Sequence, residues 1–226
     1  MSEHNQAGFR VLPMPAPIPA DILDGYANVV TSHISDSMQR ICGVQGLRAY
    51  HAGKRLVGRA ITVKVRPGDN MMIHKAMDMA APGDVIVVDA SGDVTQALVG
   101  ELMQIHAEVR GIAGFVIDGA VRDIGAFRAA DFPCYARGNT HRGPFKEGPG
   151  EVNVPVTVGG LVIQAGDLIV GDEDGVVAVP PDQWDYVLGK AREQAAREEQ
   201  RKVAIRAGKD KRDWIDERLR KLGVIA

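Results

Sequence analysis

The chain has 226 residues, 45% of them hydrophobic and 25% charged, a globular composition with room for one large domain or two small ones. A formal net charge of −2 gives no hint of nucleic-acid binding, and no apolar run approaches the ~18 residues of a membrane span. Cys42 and Cys134 are too few for a disulfide framework and read as small core residues; an N-terminus, Met1 to Gln6, without the basic and apolar regions of a signal peptide adds the expectation of a reduced, cytoplasmic protein.

Residues 1–19 carry Pro13, Pro15, Pro17 and Pro19 at alternate positions, which predicts an extended arm rather than a packed element. A short helix is expected over Ala20 to Val30. A second, capped by Thr31-Ser32, would bear Ile34, Met38 and Ile41 on one face. Leu56 to Val65 reads as a strand, half-exposed in its alternating second half. Asp69 or Asn70 caps a helix over Met71 to Ala80, which Pro82-Gly83 stops. Asp84 to Asp89 is a buried strand ending in the polar loop Ala90-Ser91-Gly92-Asp93. The pattern then predicts a helix from Thr95 to Arg110 with the stripe Leu98, Leu102, Ile105 and Val109. A central strand that Asp118-Gly119 terminates follows, and then a helix from Ala120 to Ala130. This strand–helix alternation argues for a parallel sheet.

After Pro133 the pattern becomes short strands: Cys134-Tyr135-Ala136, Val154 to Val158, Leu161-Val162-Ile163, Asp167 to Val170 and Val176 to Val179. Gly159-Gly160, Ala165-Gly166 and Asp174-Gly175 separate the last four. A loop rich in glycine and charge, Arg137 to Glu151, lies between the first two. Pro180-Pro181-Asp182 starts a helix with Trp184, Val187, Leu188 and Ala191 as its apolar stripe. Residues 190–221 hold 12 Lys/Arg and 7 Asp/Glu, a net +5 that leaves −7 on the rest. A helix this charged beyond its own core docks on another subunit or lies solvated. Trp214, Ile215, Leu219 and Leu222 predict a last short helix with a packing surface.

Chemistry gathers at Arg122-Asp123, directly after the central strand. The pair is either an ion pair capping the next helix or an anion-and-metal site at a sheet edge. Glu101, separated from Arg122 by 20 residues, either faces it or is an exposed helix carboxylate. The loop Arg137 to Lys146 is dense in cations and either binds anions or is a solvated turn. An arginine fork fits a carboxylate, and an aspartate can hold Mg²⁺ or Mn²⁺ with water in most remaining positions. That combination suits a 2-oxo acid, whose carbonyl a Lewis acid polarises. There is no GxSxG, HExxH or GxxxxGK[ST]. His4, His33, His51, His74, His106 and His141 lack zinc spacing and read as structural or exposed.

Several separated motifs then agree in order. They are Gly68-Asp69-Asn70-Met71-Met72-Ile73-His74-Lys75-Ala76, Gly83 to Asp89, Gly100-Glu101-Leu102-Met103, Val116 to Asp123, Arg142 to Lys146 and Gly148 to Pro155. With them the chain, over roughly residues 20–225, resembles the 4-hydroxy-4-methyl-2-oxoglutarate / 4-carboxy-4-hydroxy-2-oxoadipate aldolases of the RraA-like family. The resemblance implies an α/β fold with a β/β/α core like the swivelling phosphohistidine domain. It would comprise an extended arm (1–19), a catalytic domain (20–181) and a C-terminal helical arm (182–226), assembled as a homotrimer or homohexamer. It implies a class II pyruvate aldolase of aromatic-acid catabolism, dependent on Mg²⁺ or Mn²⁺, with oxaloacetate decarboxylase side activity. The partners expected are a small 2-oxo acid, with neither nucleic acid nor membrane.

By the same resemblance Arg122 binds pyruvate and Asp123 holds the metal. Glu101 orients a water for proton transfer, and backbone amides around Gly100, Leu102 and Met103 bind the pyruvate carboxylate. A glutamate of a neighbouring C-terminal helix completes the site, with Glu199 the first choice over Glu198. Two positions depart from the family pattern: Glu101 stands where Asp is frequent, and Ala126 where an acid often follows the metal aspartate. The alternative implied by other family members is a non-catalytic regulator of ribonuclease activity.

Overall fold

A computed structural model describes residues 6–226, so the first five residues of the expected arm lie outside the described residues. Helices α1 (Ala20–Tyr26) and α2 (Thr31–Ser37) precede strands β1 (Arg48–Ala49) and β2 (Leu56–Val65). The middle of the chain forms α3 (Met71–Met79), β3 (Asp84–Asp89), β4 (Ala97–Val99), α4 (Glu101–Val109), β5 (Gly114–Val121) and α5 (Ile124–Ala130). Then come β6 (Cys134–Asn139), β7 (Gly150–Val152), β8 (Val156–Val158), β9 (Leu161–Ile163), β10 (Leu168–Asp172) and β11 (Gly175–Val179). A 3₁₀ turn at Pro181–Gln183 leads into α6 (Trp184–Arg206), and α7 (Trp214–Lys221) ends the fold.

The main sheet runs β1-β6-β5-β3-β2-β10-β11, with β4 added to β5 and β7 to β2. Strands β2, β3, β5 and β6 are parallel neighbours; the alternation predicts this for the first three, and β6, expected among the short strands after Pro133, joins them. Side chains alternate across a strand, and β3 is buried on both faces, so its residues divide between two layers. Ile86 and Val88 meet Ile73 and Met77 of α3, Ala107 of α4 and Phe127 of α5. Val85 and Val87 meet Val156, Val158 and Ile163 of the β8–β9 hairpin. One helical layer and one β layer on a common sheet give the β/β/α core. Helices α1, α2 and α6 cover β10 and β11 through Tyr26, Ile34, Leu168, Val170, Val177, Val179, Val187 and Leu188.

Several local expectations change in tertiary context. Thr62 makes the second half of β2 look amphipathic, yet it is buried, because its hydroxyl donates to Val154 O at 2.6 Å. The helix expected from Thr95 begins only at Glu101: residues 97–99 pair with β5 instead, and Ala97 N donates to Arg142 O at 2.9 Å. Of its predicted apolar stripe, Leu98 is buried in β4 while Leu102, Ile105 and Val109 face away from the core. Leu102 is 80% and Val109 84% exposed, while Met103, Gln104 and Ala107 are buried. Asp118-Gly119 does not end β5, because the buried Asp118 carboxylate takes the Arg137 guanidinium and accepts from Gly159 N at 2.9 Å within the sheet. The next helix consequently starts at Ile124 rather than Ala120. The loop expected from Arg137 extends β6 to Asn139. Ile41 lies beyond the end of α2 and is exposed; Gln39 and Arg40 take positive φ there and turn the chain outward. No residue of α7 is buried, so the surface expected for Trp214 is not supplied by this chain's described residues.

The proline-rich arm is extended but also packed. Leu12 N donates to Val152 O at 3.1 Å, Asn153 Nδ2 donates to Leu12 O and Pro13 O, and Ile18 is buried. Glu151 accepts Arg10 Nε at 2.6 Å and Nη2 at 2.8 Å, and Gly8 N at 2.9 Å. The Arg10 hydrogen bond, aided by Gly8 N–H and opposed by burial, lowers the Glu151 carboxyl from its ordinary 4.5 to about 2.

A second carboxylate ties the arm to the sheet. Asp84 accepts Arg59 Nε at 2.8 Å and Nη2 at 2.9 Å, and Ala81 N at 2.7 Å. Arg59 Nη1 donates to Pro15 O at 2.6 Å. Both side chains are buried, and the fork spans the neighbouring strands β2 and β3. Arg59→Met would leave the Asp84 charge without its partner, so chemical unfolding should show a loss of about 3–5 kcal/mol. The Glu151 shift gives a pH dependence. A depressed carboxyl contributes stability that is fully present above its unfolded value and lost as pH falls through the folded one. Protection of amides at residues 8–12 against hydrogen exchange should therefore fall between pH 4.5 and about 2. In Glu151→Gln protection should already be low at neutral pH and show no such fall.

Candidate active site

The site forms where β5 ends. Asp123 adopts the left-handed region (φ 57°), which turns the chain sharply into α5. Its Oδ2 accepts Glu101 N at 3.0 Å and lies 3.6 Å from Arg122 Nε. Arg122 N donates to Val99 O at 3.0 Å, which joins this turn to the start of α4. Between them stands Gly100, in extended conformation. A Cβ there would lie 2.5 Å from Asp123 Oδ2 and 2.9 Å from Arg122 Cγ, so this close approach admits only glycine. Arg122, Asp123, Gly100, Glu101, Leu102 and Met103 thus come together, and the 20-residue separation of Glu101 from Arg122 is the length of α4 and β5 with their connections.

The pocket beside them measures about 120 Å³ and is lined by Arg122, Lys146, His74 and Asn70, with residues 97–100, Leu102, Met103 and Pro144. That is roughly the volume of four waters, the scale of a small organic acid. Its wall carries the Arg122 and Lys146 cations and no carboxylate. The carboxylates of Asp123 and Glu101 sit on exposed residues next to it. His74 is an exposed residue on this wall; partial desolvation, and then the Lys146 charge, lower its pKa, which favours the neutral ring. Met103 N and Gln104 N both donate to Gly100 O, at 3.1 and 3.0 Å. No acceptor among the described residues takes Leu102 N–H, which leaves it for a ligand.

The cation-rich loop reaches the site through Pro144 and Lys146, and a side chain at Gly143 would stand 3.1 Å from Arg122 Nη1. Arg137 does not reach it, being paired with Asp118. The Asp89 loop turns away as well, its carboxylate accepting Ser91 N and Thr157 N. Asn70, expected only as a helix cap, His74, expected as structural or exposed, and Lys146, expected only as part of the cation-dense loop, are not singled out as site residues by the sequence. Asn70 and His74 stand four residues apart, at the cap and on the first turn of α3, a spacing that puts both on one side. Asn70 is 2% exposed, and its Nδ2 donates to Leu98 O at 2.8 Å. Asp69, fully buried, has a carboxyl lowered despite burial because it accepts Met71 N, Glu147 N and Gly148 N.

Within one chain Glu199 lies on the distal half of α6, 3.2 Å from Lys202 Nζ, and does not line the pocket. Its neighbour Glu198 is bound by His33 at 2.9 Å and Gln194 at 3.1 Å. Among the described residues no three His, Cys, Asp or Glu side chains gather as a metal cage. One free-facing carboxylate, Asp123, fits a hard cation that keeps most of its shell as water and ligand oxygen, and does not fit a structural zinc site. No helix of the described residues is long and apolar enough to cross a membrane.

The family described as Aldolase/RraA matches residues 31–178. A protein of Halalkalibacterium halodurans, provisionally named a 4-hydroxy-4-methyl-2-oxoglutarate aldolase, is 44% identical over 82% of this chain and 89% of its own length. A crystal structure from Pseudomonas syringae is 31% identical, with a TM-score of 0.78 over 86% of this chain and 96% of that one. Streptomyces coelicolor RraAS2, described as an unusual member of the RNase ES inhibitor RraA family, is 25% identical, with a TM-score of 0.75 over 82% of this chain and 97% of that one. With the family model matching residues 31–178 and a relative 44% identical over 82% of the chain, the chain belongs to the RraA-like family.

Proposed function

We propose that this chain is a lyase, a pyruvate aldolase assisted by Mg²⁺ or Mn²⁺. Its substrate would be a 4-hydroxy-2-oxo diacid of the 4-hydroxy-4-methyl-2-oxoglutarate or 4-carboxy-4-hydroxy-2-oxoadipate type. The observation that carries this reading is a small pocket walled by Arg122 and Lys146, with the Asp123 and Glu101 carboxylates beside it. Such a pocket attracts an anion and sets acid–base groups at its edge. The 44% identical relative supports the choice of substrate class through its name.

Retro-aldol cleavage breaks the C3–C4 bond. The C4 hydroxyl loses its proton as C4 becomes a carbonyl, the electron pair passes to C3, and a proton then adds at C3 to give pyruvate. The Arg122 fork holds the 2-oxo acid, and the Leu102 amide at the start of α4 meets its carboxylate. Glu101 orients the water that carries protons to and from the reacting atoms. Asp123 would hold the cation, which supplies Lewis acidity at the 2-oxo group. The same polarisation suits oxaloacetate decarboxylation as a side activity. Glu199 enters from a neighbouring subunit of a homotrimer or homohexamer, because α6 carries it away from its own pocket. A regulator of RNA processing is the second reading, favoured by the likeness to RraAS2. A binding module has no use for the acid pair beside an anion pocket, and a panel of 4-hydroxy-2-oxo diacids and oxaloacetate, assayed for pyruvate with and without EDTA, separates the two.

Asp123→Ala should abolish metal-dependent turnover while circular dichroism remains that of the wild type. Arg122→Lys keeps the charge but loses the fork; the loss of one charge-assisted hydrogen bond should lower kcat/KM by roughly 10–150-fold. A rate within about twofold of wild type would remove Arg122 from the carboxylate site. For the shared site, inactive Asp123→Ala and Glu199→Ala proteins are mixed under subunit exchange. Partial recovery of activity is expected, since some pockets then contain both wild-type residues; verified mixed oligomers without activity would exclude Glu199 in trans.

A further inference from the structure

The segment 144–150 supplies Pro144 and Lys146 to the pocket, yet up to Pro149 it has no strand ladder beyond one bridge from Phe145 to Asp69, and only its last residue, Gly150, enters β7 opposite Val65 of β2. Its position is set from two flanks. On the inner flank, Asp69 Oδ2 accepts Glu147 N and Gly148 N, each at 2.8 Å. Phe145 N donates to Gly68 O at 2.8 Å, and Asn70 N donates to Phe145 O at 3.0 Å. On the outer flank lies the N-terminal arm. Gly150 N donates to Gly8 O at 2.7 Å, and Val152 N to Arg10 O at 2.9 Å. Arg10 grips Glu151 with its fork. Phe9 packs on Gly148: a Cβ there would stand 2.8 Å from Phe9 Cε1 and 2.9 Å from Met71 Cε. Gly148 also has φ +75°, so both its backbone and its surroundings require glycine.

We propose that the N-terminal arm positions the active site: Phe9 and the Arg10–Glu151 pair strap segment 144–150 against Asp69 and Asn70 and so fix where Lys146 stands in the pocket. The path is short and made of direct contacts. Phe9 touches Gly148, the amides of Gly148 and Glu147 share Asp69, and Asp69 precedes the pocket residue Asn70. The charges around Glu151 are Arg10 and Lys64, and Arg66 lines the same surface groove while pairing with Asp69 at 3.3 Å. Releasing the arm removes one flank of a segment that has no ladder before Gly150, and the pocket wall loosens although the core is untouched. Phe9, Arg10 and Glu151 are positioning residues: none of them lines the pocket.

The catalytic consequence rests on the aldolase reading; the structural one does not, and the test reads both on the full-length protein. In Arg10→Ala, hydrogen exchange at the amides of Glu147 and Gly148 should accelerate by roughly tenfold or more, while β3 and β5 keep wild-type protection. The pyruvate Kd by calorimetry, and KM for the best diacid, should rise by roughly fivefold with kcat within about twofold. Arg10→Lys should recover part of both effects, and Phe9→Ala, which leaves the ion pair in place, should reproduce the local pattern. Unchanged exchange at Glu147 and Gly148 in both alanine variants overturns the strap. Faster exchange with an unchanged pyruvate Kd overturns its coupling to the site. A wild-type protein that releases pyruvate from no diacid counts against the aldolase reading alone, because exchange and pyruvate binding still decide the role of the arm.

Discussion

The absence of one methyl group at position 100 holds the site together. Gly100 lets the start of α4 approach the end of β5 until Asp123 Oδ2 accepts Glu101 N, and any side chain there would meet the Asp123 carboxylate and the Arg122 stem at once. From this contact the rest follows. Arg122 is turned to the pocket, Asp123 is spent on one oxygen and free on the other, and the first turn of α4 is left with an unshared amide at Leu102. The left-handed backbone of Asp123 is the conformational counterpart, since only a sharp turn brings its carboxylate back over the preceding strand pair.

Behind the site the sheet supplies rigidity by being buried on both faces. Strands β3 and β5 expose no residue, so a shift of register would drive apolar side chains into the wrong layer. The buried Arg59–Asp84 fork marks the register of β2 against β3 and takes the arm's Pro15 carbonyl as a third partner. The carboxyl ends of the parallel strands then divide their polar residues between two tasks. Asp89 and Asp118, with Arg137, fasten the β8–β9 segment to the sheet. Arg122 and Asp123, just past the end of β5, stay outside that network; Arg122 lines the pocket and Asp123 stands beside it. The same residue types at neighbouring strand ends are structural in one place and chemical in the other, according to whether a backbone amide or an open pocket meets them.

Family membership by itself leaves the activity open, because the fold is shared by a relative named for aldol chemistry and by one described as an RNase ES inhibitor family member. The functional argument therefore rests on the pocket. Two cations and a histidine line a volume suited to a small anion, with two carboxylates alongside. That arrangement concentrates an anionic ligand and places proton-handling groups at its edge, which is a property of side-chain positions rather than of the fold.

The sequence by itself determined the parallel β2-β3-β5 core, since apolar strands alternating with amphipathic helices leave few other topologies; that β6 extends it was decided by the fold. Its ordered motifs also identified Arg122, Asp123 and Glu101 as the residues of interest. It misplaced features decided by distant partners. Asp118-Gly119 carries a turn signal but sits inside β5, because Arg137 and Gly159 satisfy the carboxylate. Residues 97–99 read as helix but become a strand because β5 offers them a free edge, and this change turns Leu102 and Val109 outward. Asn70, His74 and Lys146 joined the site only through α3 and the segment before β7 closing over the end of β5. Local periodicity reports what a residue prefers among its chain neighbours; hydrogen bonds and close contacts made across tens of residues decide which of those preferences survive.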